Sequence, residues 1–281
     1  MDLCEKKFVK THSFKYQDGI EYSSDLYKCQ KCNMLQFDNK LSEAEMATYY
    51  TDVYVKMTAS WYTLANSYIP NVYAKQADWL IEHFHRFRTD LATIHDIGCG
   101  YGGMVHQFRN IGYDAYGSEY NANVVAEATA HGNHHIFNCS LSEIYPAIRS
   151  TPPDLFIMNH VLEHVPDPVT LLAEIKAYMG SETLLICRVP NGEYLPFLVG
   201  MEKQHPWFNY PSHLHYFTAK SIQCLADKAG LAVLDVHCTT REPLEKLMDK
   251  AKSKMGMTKI GVDELAKRNL TGELVFIFGN I

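Results

Sequence analysis

A chain of 281 residues, 47% hydrophobic and 21% charged, has enough apolar side chains for a full core, as one large domain with an appendage or as two small ones. Its net charge of −6 argues against general, sequence-blind nucleic-acid binding. No apolar run reaches membrane-span length, and Met1–Lys7 lacks the apolar core of a signal peptide, so a cytoplasmic location is the expectation.

Residues 1–42 read as a polar, irregular segment spotted with aromatics. Cys29-x-x-Cys32 is half of a zinc knuckle, because two thiolates at that spacing can take adjacent tetrahedral corners. Cys4 is the obvious third ligand and His12 the best fourth, since Lys7 stands where a second cysteine would follow Cys4. The expectation is a small segment ordered by a structural zinc. Residues 43–90 read as a helical cap. Ser42 and Glu45 form a capping box opening a helix through Tyr50, followed by helical runs at 57–67 and 71–87. Tyr49, Tyr50, Tyr54, Trp61, Tyr62 and Tyr68 make this stretch aromatic, as core or as a lid over a ligand.

From residue 91 to 281, apolar runs alternate with amphipathic ones, the pattern of a doubly wound, Rossmann-like α/β sheet. Seven strands are predicted at 92–97, 113–118, 134–138, 154–159, 182–188, 231–237 and 272–278. Helices are predicted at 101–111, 121–131, 167–179 and 218–229, with a long loop over 189–216 and a helical insertion over 241–270. The first strand runs into a glycine-rich turn in which Gly98, Gly100 and Gly103 have G-x-G-x-x-G spacing. Such a turn lets backbone approach a ligand closely and offers helix N–H groups to it. Glu119 follows twenty-one residues after Gly98, where a carboxylate can accept from ribose hydroxyls. To this point a nicotinamide dinucleotide and S-adenosylmethionine fit equally.

The string Leu162-Glu-His-Val-Pro-Asp-Pro168, the Asp96 of D-I-G-C-G and the segment His213-Leu-His-Tyr-Phe-Thr218 resemble class I S-adenosylmethionine-dependent methyltransferases. The closest-looking group holds ubiquinone-type O-methyltransferases and bacterial sugar and natural-product methyltransferases, some with an N-terminal zinc ribbon; the likeness covers roughly residues 75–240. The resemblance implies S-adenosylmethionine as cofactor. It places the methionine part on Asp96, Gly98, Cys99, Gly100, Tyr101 and Gly103, and the ribose on Glu119 with Tyr120 beside it. Ser140 and Leu141 then border the adenine, and Asn159 and His160 lie next to the sulfonium.

Methyl transfer to a hydroxyl profits from a base, and histidine has the unperturbed pKa for it. The candidates are His160, His164, His213 and His215, with His160 first because it should face the cofactor from a strand end. A metal-assisted alternative uses His160, Glu163 and His164, whose spacing is similar to E-x-x-E-H in small-RNA 3′-end and ubiquinone-type enzymes. For the acceptor, Arg188 and Asn191, with Trp207, Phe208 and Tyr210 of the long loop, are expected to line the site, Arg188, Lys203 and Arg241 offering charge. The partner expected is a small-molecule acceptor, a nucleotide-activated or polysaccharide-linked sugar hydroxyl ahead of a phenolic or quinone-type one. A homodimer is a further expectation. A nicotinamide oxidoreductase and a non-catalytic cofactor-binding module are the competing classes.

Overall fold

A computed structural model describes residues 6–16, 19–38, 41–54, 56, 73–145, 151–194, 208, 210–239 and 273–280, the side chains of residues 43 and 47 excepted. Cys4, Lys203, His205, Trp207, Arg241, the run at 57–67 and the insertion at 241–270 lie outside them.

The seven predicted apolar runs form one seven-stranded sheet. In chain order the strands are β4 (Thr93–Ile97), β5 (Asp114–Ser118), β6 (Ile136–Phe137), β7 (Leu155–Asn159), β8 (Leu184–Pro190), β10 (Leu231–Thr239) and β11 (Glu273–Asn280). Their spatial order is β10-β11-β8-β7-β4-β5-β6. The pairs β6–β5, β5–β4, β4–β7 and β7–β8 are parallel; β11 runs antiparallel to both β8 and β10. Every residue of β11 from Glu273 to Gly279 is buried, as a strand covered on both faces must be.

Helices cover both faces. On one side are α2 (Ala74–His85), α3 (Gly103–Asn110) and α4 (Ala122–Ala130), which bury Leu80, Phe84, Phe108 and Ala128 against Ile94, Ile157 and Ile277. On the other are the short α5 (Leu141–Ile144), α6 (Pro168–Ala177) and α7 (Ala219–Ala229), which bury Ile144, Leu172, Ile175, Leu225 and Ala226 against Phe156, Leu185 and Phe276. Each such fully buried Leu, Ile or Phe contributes about 1.5–3 kcal/mol. The motif residues double as helix starts: Asp167 caps α6 ahead of Pro168, and Thr218 caps α7, while Gly230 ends α7 in the left-handed region.

The amino-terminal segment is not irregular. It forms β1 (Lys6–Lys15), β2 (Glu21–Cys29) and β3 (Leu35–Phe37), an antiparallel sheet whose fourth strand, β9 (His215–Tyr216), comes from beyond the long loop. One face of this sheet carries Phe14, Tyr22, Leu26 and Phe37, and Phe208, Tyr210, Leu214 and Tyr216 pack onto it. The aromatic residues of segment and loop are therefore each other's core. Ser42 and Glu45 form the expected capping box of α1 (Glu43–Thr48), which continues as a π-helical turn, Tyr49–Tyr54.

Candidate functional site

The carboxyl ends of the parallel strands gather the motif residues. Gly98 and Cys99 donate their N–H groups to the Ser118 carbonyl, and Gly100 N–H donates to Glu119 Oε2 at 2.9 Å, joining the turn to the end of β5. Gly102 holds φ 75° and is the N-cap of α3, with Asn133 and Ile136 where a Cβ would go. The positive-φ requirement before the helix thus falls on Gly102, while Gly103 is an ordinary first-turn residue. At Gly98 (φ 70°) a Cβ would stand 2.5 Å from Val161 Cγ2, so the turn lies directly against the segment after β7.

Asp96 is almost fully buried, and burial, then the charge of Glu119, raises its pKa to about 7. Two acids so close create a demand for positive charge. Beyond them a cleft of about 430 Å³ is lined by Tyr120, Asn138, Cys139, Ser140 and Glu143. Tyr120 is 98% exposed, an aromatic face open to solvent at its mouth. Asn138 Nδ2 donates to the Glu119 and Tyr120 carbonyls, holding that rim in place. Other expected cofactor residues turn elsewhere. Cys99 directs its sulfur at Gly117, and Tyr101 donates its hydroxyl to Glu127 on α4. Leu141 is core, and Ser140 caps α5 through Glu143, which leaves backbone for any ligand contact by Leu141.

His160 follows Asn159 at the end of β7 with φ 56°, a strained value for a residue with a Cβ. Its Nδ1 is 3.1 Å from Glu163 Oε1 and its Nε2 3.1 Å from Glu273 Oε1. Glu273 also accepts from Arg188, Nε at 2.7 Å and Nη2 at 2.6 Å. Both carboxylates are fully buried. Burial opposes charge on the imidazole, but the hydrogen bonds to Glu163 and Glu273 outweigh it and raise the His160 pKa. Burial likewise pushes Glu163 up, yet the His160 bond and the neighbouring imidazoles bring it down to about 2. The result is a balanced cluster of two carboxylates, one guanidinium and one imidazolium. Both ring nitrogens of His160, the first candidate for the base, are thus occupied by carboxylates in this arrangement. Arg188, expected to offer charge to the acceptor, is bonded to Glu273.

His164 differs. Its Nδ1 lies 2.6 Å from the Ser212 carbonyl, which takes the ring proton, and burial lowers its pKa. Its Nε2 lies 3.9 Å from Glu163 Oε1, and one ligand atom from each of Glu163, His164 and His213 falls within 4.8 Å of the others. Glu163 Oε2 is buried with no hydrogen-bond partner among the described residues. Tyr50 and Tyr54 of the π-helical turn close over this place, with ring centroids 6.3 and 6.4 Å from that of His164. Burial, then the charges of Glu163 and Glu119, pushes Tyr54 up to about 12.

The remaining expected residues are packed or bonded within the fold. His215 is buried, its Nε2–H donates to the Val165 carbonyl, and burial lowers its pKa to about 4. Asn191 is fully buried, bridging to Phe217 and accepting from Glu193 N–H. Phe208 and Tyr210 are in the core under the amino-terminal sheet. His12 belongs to that same core, 5.0 Å from the Phe208 ring. It pairs with Ser24, five residues along β2 from Cys29, hence about 17 Å away and on the opposite face of the strand. His12 therefore cannot join Cys29 and Cys32 around one ion. Those two cysteines keep the knuckle shape: Cys29 Sγ accepts from Lys31 and Cys32 N–H, and Asn33 takes φ 61°. They form no group of three or more metal ligands among the described residues.

The His215 shift predicts a pH dependence. Between about pH 6.5 and 4 the unfolded chain protonates this ring and the folded one does not. Stability from this group is complete above the unfolded value and is lost as pH falls, by about 3 kcal/mol in all. Urea unfolding of wild type and His215→Gln at both ends of that range checks it: the variant should lose less on acidification, and equal losses contradict the assignment.

The sequence matches the family model of a methyltransferase domain over residues 73–236. The chain belongs to this family. It is an S-adenosylmethionine-dependent methyltransferase. The fold agrees with solved structures. The plantazolicin methyltransferase BpumL in complex with S-adenosylhomocysteine is 12% identical, with TM-score 0.57 over 83% of this chain and 93% of that one. Magnesium protoporphyrin IX methyltransferase from Synechocystis PCC 6803, also with bound S-adenosylhomocysteine, is 13% identical, with TM-score 0.54 over 85% and 100%. A methyltransferase from Clostridium acetobutylicum ATCC 824 is 11% identical, with TM-score 0.52 over 82% and 99%. No curated protein matches the sequence. Among the described residues, no helix is long and apolar enough to cross a membrane.

Proposed function

We propose that this methyltransferase alkylates a hydroxyl of a small molecule, with His164 as the base. The carrying observation is the His164 ring itself: its Nδ1–H donates to the Ser212 carbonyl, so the lone pair is on Nε2, 3.9 Å from Glu163 Oε1, in a cluster that also holds His213. Lone pairs converging on one place call for a proton donor, and an acceptor O–H is one.

The cofactor fits the chain. Asp96 and Glu119 form a pair of acids that a cationic ligand relieves, and S-adenosylmethionine carries both an ammonium and a sulfonium. Asp96 with the Gly98–Gly102 turn would hold the methionine end, Glu119 the ribose, and Tyr120 with Asn138 and Ser140 the adenine side. The cofactor supplies a methyl group already activated for displacement. The chain's part is to align the acceptor and to take its proton at His164 Nε2 as the oxygen gains the methyl group. His160 keeps Glu163 ionised and in place.

For the acceptor we favour a sugar hydroxyl over a phenolic or quinone-type one. The support is a polar place formed by Glu163, His164 and His213 and rimmed by the Tyr50 and Tyr54 rings. The test is transfer of a labelled methyl group to panels of glycosides, nucleotide sugars and phenols. The His164→Asn variant should lose at least a hundredfold in rate while binding S-adenosylhomocysteine as wild type does; undiminished transfer removes His164 as base.

A second reading uses the same three residues to hold a divalent cation that positions the hydroxyl. Two imidazoles and a carboxylate suit zinc or manganese better than magnesium. Full turnover after chelation, in the acceptor assay above, eliminates it.

A further inference from the structure

We infer that Tyr50, supplied by the π-helical end of the amino-terminal cap, is a positioning residue for His164: together with the Ser212 carbonyl it keeps the ring proton on Nδ1 and leaves Nε2 open. The inference rests on the assignment of His164 as base.

Tyr50, Ser212 and His164 come from three separated stretches of chain. The Tyr50 hydroxyl is 3.2 Å from His164 Nδ1 and 3.4 Å from the Ser212 carbonyl oxygen, and Nδ1 is 2.6 Å from that same oxygen. A carbonyl has no proton to give, so at this separation Nδ1 carries the hydrogen. With that hydrogen in place the tyrosine O–H has one acceptor left, the Ser212 oxygen, and its own lone pair turns towards the Nδ1–H. The opposite tautomer would bring the nitrogen lone pair against the carbonyl oxygen and orient the hydroxyl the other way. The trio is consistent with one arrangement of protons only.

The π-helical turn accounts for Tyr50 being there. Widening the helix after Thr48 brings Tyr49, Tyr50 and Tyr54 into mutual ring contact, with centroids 5.2–6.3 Å apart, beside His164. Burial, and then its tyrosine neighbours and Glu163, keeps the Tyr50 hydroxyl from ionising, so it remains a neutral donor. The other groups facing the imidazole are Glu163, the His213 ring at 4.7 Å and, through Glu163, the charged His160. Ser212 reaches Nδ1 through its hydroxyl as well, with Oγ at 3.4 Å. The tautomer is therefore held jointly by Ser212 and, from the cap side, by Tyr50.

The test follows the ring protons directly in the full-length protein. Long-range proton–nitrogen correlation spectra are recorded for wild type, Tyr50→Phe and Tyr50→Leu, with His164→Asn identifying the signals. Wild type should show His164 as the Nδ1–H form. In Tyr50→Phe the ratio of Nδ1–H to Nε2–H forms should fall at least tenfold, and in Tyr50→Leu, which also admits water, the titration midpoint of the ring should move up as well. An Nε2–H ring in wild type, or unchanged ring signals in both variants, overturns the inference. A packing role alone would lower the thermal midpoint of Tyr50→Leu without moving the tautomer in Tyr50→Phe, which overturns it too. Titration of the same samples with S-adenosylhomocysteine should give equal affinities for wild type and Tyr50→Phe. Failure of wild type to bind would instead strike at the methyltransferase site.

Discussion

Glu273→Ala is expected to lose about 3–5 kcal/mol of folding stability, the cost of removing one partner from a buried charge cluster. Glu273 is fully buried and answers two cations, Arg188 and His160. Alanine removes the carboxylate that binds the guanidinium through two nitrogens and takes away one partner of an imidazole that already has an unfavourable φ. The effect should reach the active site, because His160 is also the partner that keeps Glu163 in place. Denaturant unfolding measures the loss. A control separates charge from cavity: Glu273→Leu combined with Arg188→Met removes both charges at similar volume and should recover much of the stability. A loss below about 1 kcal/mol for Glu273→Ala would mean that the cluster is solvated and weak.

Gly100→Val is expected to lower S-adenosylhomocysteine affinity at least a hundredfold, which is about 2.7 kcal/mol. Gly100 has φ 57°, a region where a β-branched residue is a steric outlier, and its N–H is bonded to Glu119. Valine at this position strains the turn, pulls the amide away from Glu119 and adds two methyl groups where the ligand backbone must approach. Calorimetric titration decides it, with circular dichroism to show that the sheet is intact. Wild-type affinity in that variant would detach the turn from the cofactor.

The α/β sandwich was legible because each of its strands is a short apolar run between turn signals, and all seven were placed within two residues at nearly every boundary. The amino-terminal sheet was not. Its strands mix lysine, serine and aromatic residues, and the apolar face is completed only by Phe208, Tyr210 and Tyr216, some 170 residues away. Motif residues told the chemistry correctly and the direction poorly. Arg188, Asn191 and Phe208 are the right types for an acceptor pocket, yet each is spent on a neighbour that sequence spacing does not reveal. Glu273 carried no signal at all, since nothing in the first residue of a distant strand announces a bond to His160. Within the histidine set, spacing does not reveal the partners at each ring nitrogen, which set His160 between two carboxylates apart from His164 against a carbonyl.

The fourth strand of the amino-terminal sheet has a consequence for modularity. Because His215–Tyr216 is paired with Leu35–Gln36, the end of the long loop and the amino-terminal hairpin form one structural unit. A chimera that grafts a relative's loop onto this scaffold must carry that relative's amino-terminal hairpin with it. Otherwise the transplanted strand meets the wrong edge, and the histidines it delivers arrive out of register.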